Sequence, residues 1–271
     1  MFTCECSLKI LKSKHFSTPS STLILRLPPT LSCTHLDTLR ADCVKTSFQN
    51  SIFAEKKNMQ IEVWSDVMCP FCYIGKRRLE MALEQFSTKE EITITWKSFL
   101  LNPELKTDLS KSTLDYLAEN KGMPVDQVKQ MFVQVTNMAK EVGLDYELEK
   151  TRVASSFNAH RFLHFALKEG KQLAAKELVF KAHFLEHKNI DDNATLMEIA
   201  QAVGLDLART EEVITSNEFQ EAVKYDIYDA QQLGVKGVPF FVFNNKYGIS
   251  GAQPIEVFLE TLEKASEEVN S

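Results

Sequence analysis

No run of the 271-residue sequence approaches the roughly 20 consecutive apolar residues that carry a helix across a bilayer, so no membrane span is expected. Positive charge is scarce where folding signals are strong. After residue 58 there are 23 Lys and Arg against 33 Asp and Glu, a net charge of −10; residues 1–58 hold 8 against 4, and the whole chain carries −6. A folded region this acidic argues against nucleic acid as a partner. Metal-binding signatures are thin as well. The sequence has no H-E-x-x-H. The pairs His160/His164 and His183/His187 are spaced one helical turn apart but come without an evident third ligand, so no metal site is assigned. Of the six cysteines, Cys4, Cys6, Cys33 and Cys43 fall within the first 43 residues. Beyond them stand only Cys69 and Cys72, too few for a four-ligand zinc knuckle or a relay between two disulfides.

Residues 1–58 are rich in Ser, Thr and Leu, are broken at Pro28-Pro29 and show no sustained apolar period. We read them as a disordered or spuriously translated extension, with Met59 as the working start and 59–271 as the folded chain. A secretory signal fits poorly, because Arg26 interrupts Leu23-Ile24-Leu25 and no small-residue cleavage site follows. Glu5, Asp37, Asp42 and Glu55 count against a transit peptide. The expected location is the cytoplasm.

The stretch that organises the chain is Ile61 to Leu79. Ile61 to Trp64 alternates as a short strand does, and from Pro70 onward Ile74, Leu79, Leu83 and Phe86 fall at helical spacing. Cys69 then stands at a helix N-terminus, with Pro70 in the first turn where its missing N–H costs nothing, and Cys72 lies one turn inside. Unsatisfied N–H groups and the helix dipole favour a thiolate at that position. The C-x-x-C spacing lets the pair cycle between dithiol and disulfide through a mixed disulfide. Lys76, Arg77 and Arg78, on the same helix, read as a solvated face.

Glu91 to Lys97 alternates and is β-branched, so a second strand is expected parallel to the first, closing a β-α-β unit. Residues 111–215 read as helical. One helix opens at Pro124 and ends at Gly143, a second runs from Val153 to Gly170, a third covers Leu173 to His187, and Asn193 is the expected cap of a fourth. A further helix is expected over Ser216 to Leu233. An apolar strand follows at Gly237 to Phe243, then a tight turn at Asn244-Asn245, a hairpin strand from Tyr247 to Ser250, and a last helix from Pro254. This order predicts an α/β thioredoxin fold, with halves 59–110 and 216–271 separated by a helical insertion, 111–215.

The segment Trp64-Ser65-Asp66-Val67-Met68-Cys69-Pro70-Phe71-Cys72-Tyr73-Ile74-Gly75-Lys76-Arg77-Arg78 resembles the active-site region of the DsbA-like thioredoxin-fold oxidoreductases, specifically their FrnE-like branch. Asn102-Pro103, Asn158-Ala159-His160-Arg161 and Gly234-Val235-Lys236-Gly237-Val238-Pro239 resemble the same branch, and the similarity runs from about Met59 to about Leu262. The dipeptide between the cysteines is Pro70-Phe71, where DsbA itself has Pro-His.

The resemblance implies a thiol–disulfide oxidoreductase with Cys69 as nucleophile and Cys72 as resolving thiol. It also implies a cis-proline at Pro239 facing the sulfurs and a Val238 backbone able to hydrogen-bond a peptide. Met68, Pro70, Phe71 and Val238 are expected to line an apolar cleft under the helical insertion. Asn158, His160 and Arg161 either face that cleft or tie the insertion to the core. Expected partners are protein or low-molecular-weight thiols and disulfides. No organic cofactor is needed, and glutathione is eligible as a co-substrate. The rival is a glutathione-dependent isomerase or transferase, similar to 2-hydroxychromene-2-carboxylate isomerase or the kappa-class glutathione transferases. Those relatives carry a serine where Cys69 stands and lack a redox pair, so the two cysteines favour redox chemistry.

Overall fold

The structure is a computed structural model that describes residues 58–87 and 92–269, so the expectations for the N-terminal extension lie outside the described residues. Strand β1 (Met59–Ser65) leads through a short turn into helix α1 (Pro70–Gln85). Pro70 at the first helical position supplies the fixed φ that starts α1. Strand β2 (Ile92–Ser98) runs parallel to β1, in register from Met59 opposite Ile92 to Ser65 opposite Ser98.

Seven α-helices and one 3-10 turn (Leu148–Lys150) separate β2 from β3: α2 (Thr113–Lys121), α3 (Val125–Lys140), α4 (Phe157–Lys168), α5 (Gln172–Phe184), α6 (Asn193–Val203), α7 (Leu207–Thr215) and α8 (Gln220–Gln232). Ser112, Asp192 and Asp206 cap α2, α6 and α7 by accepting backbone N–H bonds, while Gly122 and Gly204 end α2 and α6 in the left-handed region. Several boundaries differ from those that spacing predicted, among them the start of β3 at Phe240 rather than Gly237 and the end of α5 at Phe184 rather than His187. α4 begins at Phe157 rather than Val153, because the carbonyl of Val153 and the N–H of Ser155 bond the loop at Asp108 and Thr107 instead of a helical turn. Asp192, one residue before Asn193, is the cap of α6. α8 starts at Gln220, because Phe219 sits at φ 62, outside helical geometry.

Strands β3 (Phe240–Phe243) and β4 (Tyr247–Ser250) form a hairpin whose turn places Asn244 and Asn245 at φ 49 and 55, the conformation Asn tolerates best after Gly. The sheet order is β2-β1-β3-β4, with β3 antiparallel to both its neighbours. Alternation along the strands sorts the side chains to two faces. Ile61, Val63, Phe241, Phe243 and Ile249 join the main core, together with Phe258 and Leu262 of α9 (Ile255–Val269). Trp64 and Val242 point to the opposite face and pack with Ala230 of α8, where the Trp64 indole N–H donates to the Asp226 carbonyl at 2.9 Å. Together β1-α1-β2 and α8-β3-β4-α9 make a thioredoxin fold, with α2 to α7 inserted between its halves. Among the described residues no helix is long and apolar enough to cross a membrane.

Candidate active site

Cys69 is the N-cap residue of α1, with an extended backbone (φ −88, ψ 113), while Cys72 occupies the third helical position. The connecting turn is held by hydrogen bonds from Cys69 N to the Asp66 carbonyl (3.1 Å) and from Cys72 N to the Cys69 carbonyl (3.0 Å). Both sulfurs are thiols. They differ in surroundings: Cys69 is 4% exposed and Cys72 is sealed at 0%. Burial, reinforced by the neighbouring Cys69, pushes the Cys72 thiol well above the usual range, and the Lys176 charge pulls the other way.

Across from the turn, the Val238–Pro239 peptide is cis. The Val238 carbonyl lies 3.5 Å from the Cys69 sulfur, so backbone polarity faces the thiol. Close approach of α1 to this proline depends on Gly75. A Cβ there would sit 2.9 Å from Pro239 Cγ and 3.1 Å from Phe241 Cζ. The opposite side of the helix start is anchored by Tyr146, whose hydroxyl donates to the Pro70 carbonyl at 3.0 Å.

A cavity of about 270 Å³ opens beside Cys69. Met68, Pro70 and Phe71 form one wall, and Leu117, Met131, Phe132 and Val135 of α2 and α3 contribute to the others. Asp66, Lys121, Arg152 and His183 are among its polar lining residues. Val238 does not line this cavity; it reaches the site through its carbonyl.

Asp66 was not singled out from the sequence, although an Asx turn three residues before a helix-capping cysteine is a readable signal. Its carboxylate accepts N–H bonds from Leu101 (2.8 Å) and Met68 (3.1 Å), and His160 Nε2 lies 3.6 Å away. Burial alone would raise this carboxyl, but His160 and the two backbone N–H groups hold it below the usual carboxylate range. His160 is buried behind Asp66 and off the cavity wall, and burial pushes its imidazole down.

The other two residues of that motif sit elsewhere. Arg161 donates from its Nε to the Glu218 carbonyl at 2.8 Å, and from its guanidinium to the Val213 and Ser216 carbonyls and to Asn158 Oδ1. Asn158 in turn donates to Asp191 at 2.9 Å. Arg161 therefore ties α4 to the end of α7 and the α7–α8 connection, Asn158 ties it to the α5–α6 connection, and neither lines the cavity, because their polar atoms are consumed by backbone carbonyls and a neighbouring carboxylate.

The basic run after the cysteines is not a solvated face. Lys76 is buried and bridges Glu80 and Glu177 at 2.5 Å each, Arg77 pairs with the same two carboxylates, and Arg78 donates to the Ala252 carbonyl. Glu177 also accepts from the Tyr73 hydroxyl at 2.5 Å, so these cations fasten α1 to α5. The histidine pairs are also separately engaged. His164 meets Asp226 at 3.0 Å and His187 meets Glu147 at 3.2 Å. Among the described residues no three His, Cys, Asp or Glu side chains gather as a metal site.

Two free thiols in C-x-x-C spacing at a helix N-terminus, opposite a cis-proline in a thioredoxin fold, define the class of DsbA-like oxidoreductases. Residues 60–263 match the family described as DSBA-like thioredoxin domain, and the chain belongs to that family. It is similar to a probable DsbA oxidoreductase from Streptomyces coelicolor, with 34% identity and a TM-score of 0.72 over 78% of this chain and 91% of that one. Two further likenesses concern the fold alone. One is 2-hydroxychromene-2-carboxylate isomerase, at 17% identity and a TM-score of 0.56 over 78% of this chain and 95% of that one. The other is the cytosolic disulfide reductase DsbM from Pseudomonas aeruginosa with GSH, at 15% identity and a TM-score of 0.55 over 77% of this chain and 99% of that one.

Proposed function

We propose that this protein is a thiol–disulfide oxidoreductase of the FrnE-like branch, in which Cys69 attacks substrate and Cys72 resolves the product. The contrast between the two sulfurs carries this reading. Cys69 borders a cavity large enough to admit a side chain or small thiol, while Cys72 is enclosed in the core and reachable only by Cys69. Attack by the Cys69 thiolate on a substrate disulfide forms a mixed disulfide and releases one substrate thiolate. The Cys72 thiolate then attacks Cys69 Sγ, closing the protein disulfide and releasing the second. Two electrons pass from the protein to the substrate, and the same steps run in reverse oxidise a dithiol.

Substrates of this reading are protein or low-molecular-weight thiols and disulfides, handled in the cytoplasm without an organic cofactor. Glutathione is a fitting co-substrate, since Lys121 and Arg152 are among the residues that line the cavity and bring positive charge to the neighbourhood of its carboxylates. An isomerase or transferase would need no thiol pair, whereas here one thiol borders the cavity and the second stands one helical turn behind it.

The test is trapping with oxidised glutathione followed by intact-mass and peptide analysis. Cys72→Ser should accumulate a mixed disulfide on Cys69, and Cys69→Ser should form none. Adducts on Cys72 in Cys69→Ser, with none on Cys69 in Cys72→Ser, would reverse the assignment. A wild-type pair that never equilibrates with glutathione would end the redox reading.

A further inference from the structure

His183, the penultimate residue of α5, lines the cavity beside Cys69, yet the residue is only 2% exposed. Its Nδ1 is sealed without a hydrogen-bond partner among the described residues. Nε2 is not sealed in this way, and no group among the described residues bonds it either. An unpaired polar atom in the interior costs stability, and most such atoms in folded proteins are paired. A buried imidazole with both nitrogens free, set in a cavity wall, is therefore open to a partner brought by whatever the cavity receives.

Packing alone orients this ring. It stands edge-on to Phe184, with centroids 4.6 Å apart and planes at 78°, and Phe184 lines the same cavity. Phe184 packs in turn on Tyr146 at 5.0 Å, and the Tyr146 hydroxyl donates to the carbonyl of Pro70, the residue after Cys69. A chain of printed contacts thus fixes the histidine relative to the redox turn. The cavity also grades from charged to neutral. Lys121 and Arg152 are exposed, whereas His183 is buried with Phe132 and Phe184 on the same lining.

We propose that the cavity selects low-molecular-weight disulfides and thiols that carry a hydroxyl on an apolar arm, with His183 as the specificity-determining residue that bonds this hydroxyl through Nε2. The inference deepens the redox reading above and rests on it. Burial keeps the imidazole uncharged at neutral pH, so the ring offers one N–H and one lone pair. A carboxylate can use only the N–H. A hydroxyl both donates and accepts, and so pairs with Nε2 whichever tautomer is present. The arm fills the apolar part of the cavity while the sulfur meets Cys69, whose thiolate displaces one thiolate of the ligand as in the mechanism above.

The experiment compares two disulfides that differ only in the hydroxyl, bis(4-hydroxybenzyl) disulfide and dibenzyl disulfide. A methylene insulates the sulfur from the ring, so the leaving thiolates are matched. Oxidation of the reduced full-length protein is followed by mass below saturation. Wild type should react with the hydroxylated compound about tenfold faster, the worth of one net hydrogen bond. In His183→Leu, which keeps the bulk and removes both nitrogens, the two rates should come within about threefold of each other, and the rate with dibenzyl disulfide should stay within about threefold of wild type. Equal rates in wild type, or a preference that survives in His183→Leu, would overturn the proposal. A sulfur-free probe needs no thiol chemistry and decides the matter if that variant is unfolded. Saturable binding of 4-ethylphenol to wild type should shift the His183 ring nitrogen resonances, and ethylbenzene should leave them in place. Ring resonances unmoved by 4-ethylphenol would refute the proposal. Binding of 4-ethylphenol at His183 by a protein that reacts with neither disulfide would fault the redox reading instead.

Discussion

His183 shows how little a residue type says until its surroundings are known. On sequence it pairs with His187 one turn away, yet in the fold it is buried edge-on against Phe184 with its Nδ1 unpartnered. Burial holds it down to about 4, whereas in the unfolded chain a histidine titrates near 6.5. Between those values the unfolded chain binds the extra proton, so this group's contribution to stability is complete above about pH 6.5 and drains away as pH falls towards 4. The full span corresponds to about 3 kcal/mol, of which ~2 kcal/mol disappears between pH 7.5 and pH 5. Asp66 and His160 are lowered too and push in the same direction, so the contribution is read against a variant. The urea midpoint of wild type should fall more steeply from pH 7.5 to 5 than that of His183→Gln. Parallel pH dependences in the two proteins would contradict the assignment.

At the scale of elements, α1 is the piece on which the site depends, and it is held from several directions. Glu177 ties it to α5, Tyr146 holds its first carbonyl, and Gly75 lets it lie against Pro239. On an exposed helix a Gly→Ala change gains up to ~1 kcal/mol from propensity alone. Here the new methyl would meet the proline ring at 2.9 Å, and a ring fixed to the backbone cannot rotate away. Gly75→Ala should therefore destabilise by about 1–3 kcal/mol, the usual penalty of overpacking. It should also slow alkylation of Cys69, because the Val238 carbonyl and the turn would be forced apart. Thermal denaturation with thiol-labelling rates measures both, and an unchanged or raised melting temperature would show that the proline yields.

At the scale of the whole molecule, the cavity belongs to neither part alone. The thioredoxin half supplies Met68, Pro70 and Phe71, and the inserted helices supply Leu117, Met131 and Phe132. On the proposed redox reading, the insertion sets what reaches Cys69 while the thioredoxin half sets the chemistry. Leu117→Trp, half-buried on α2 at the cavity wall, should fill part of this space. Its kcat/KM for an apolar dithiol peptide should fall about tenfold, ~1.4 kcal/mol of lost transition-state binding. Reaction of Cys69 with a small reagent such as iodoacetamide should change by less than about threefold. Equal losses for the peptide and the small reagent would point to a disturbed redox turn instead of a narrowed cavity.

Local signals were enough for the order of strands and helices, the parallel β1–β2 pair and the C-x-x-C at a helix start, because each rests on periodicity, a capping residue or a short spacing. The motif around Cys69 was legible for the same reason: its strand, turn and helix are contiguous. The cis peptide at Pro239 was implied by resemblance alone. The rest depends on which surfaces meet. Whether Lys76 faces solvent or Glu177, whether Arg161 faces a cleft or four oxygen acceptors, and whether a helix face is walled by another helix are settled by contacts between residues some 50 to 100 positions apart. Asp66 and Lys176 are plain acidic and basic residues in the sequence. Only tertiary packing buries them, Asp66 beside the cysteine turn and Lys176 against the Trp96 and Phe180 rings, and burial is what removes a charge from water.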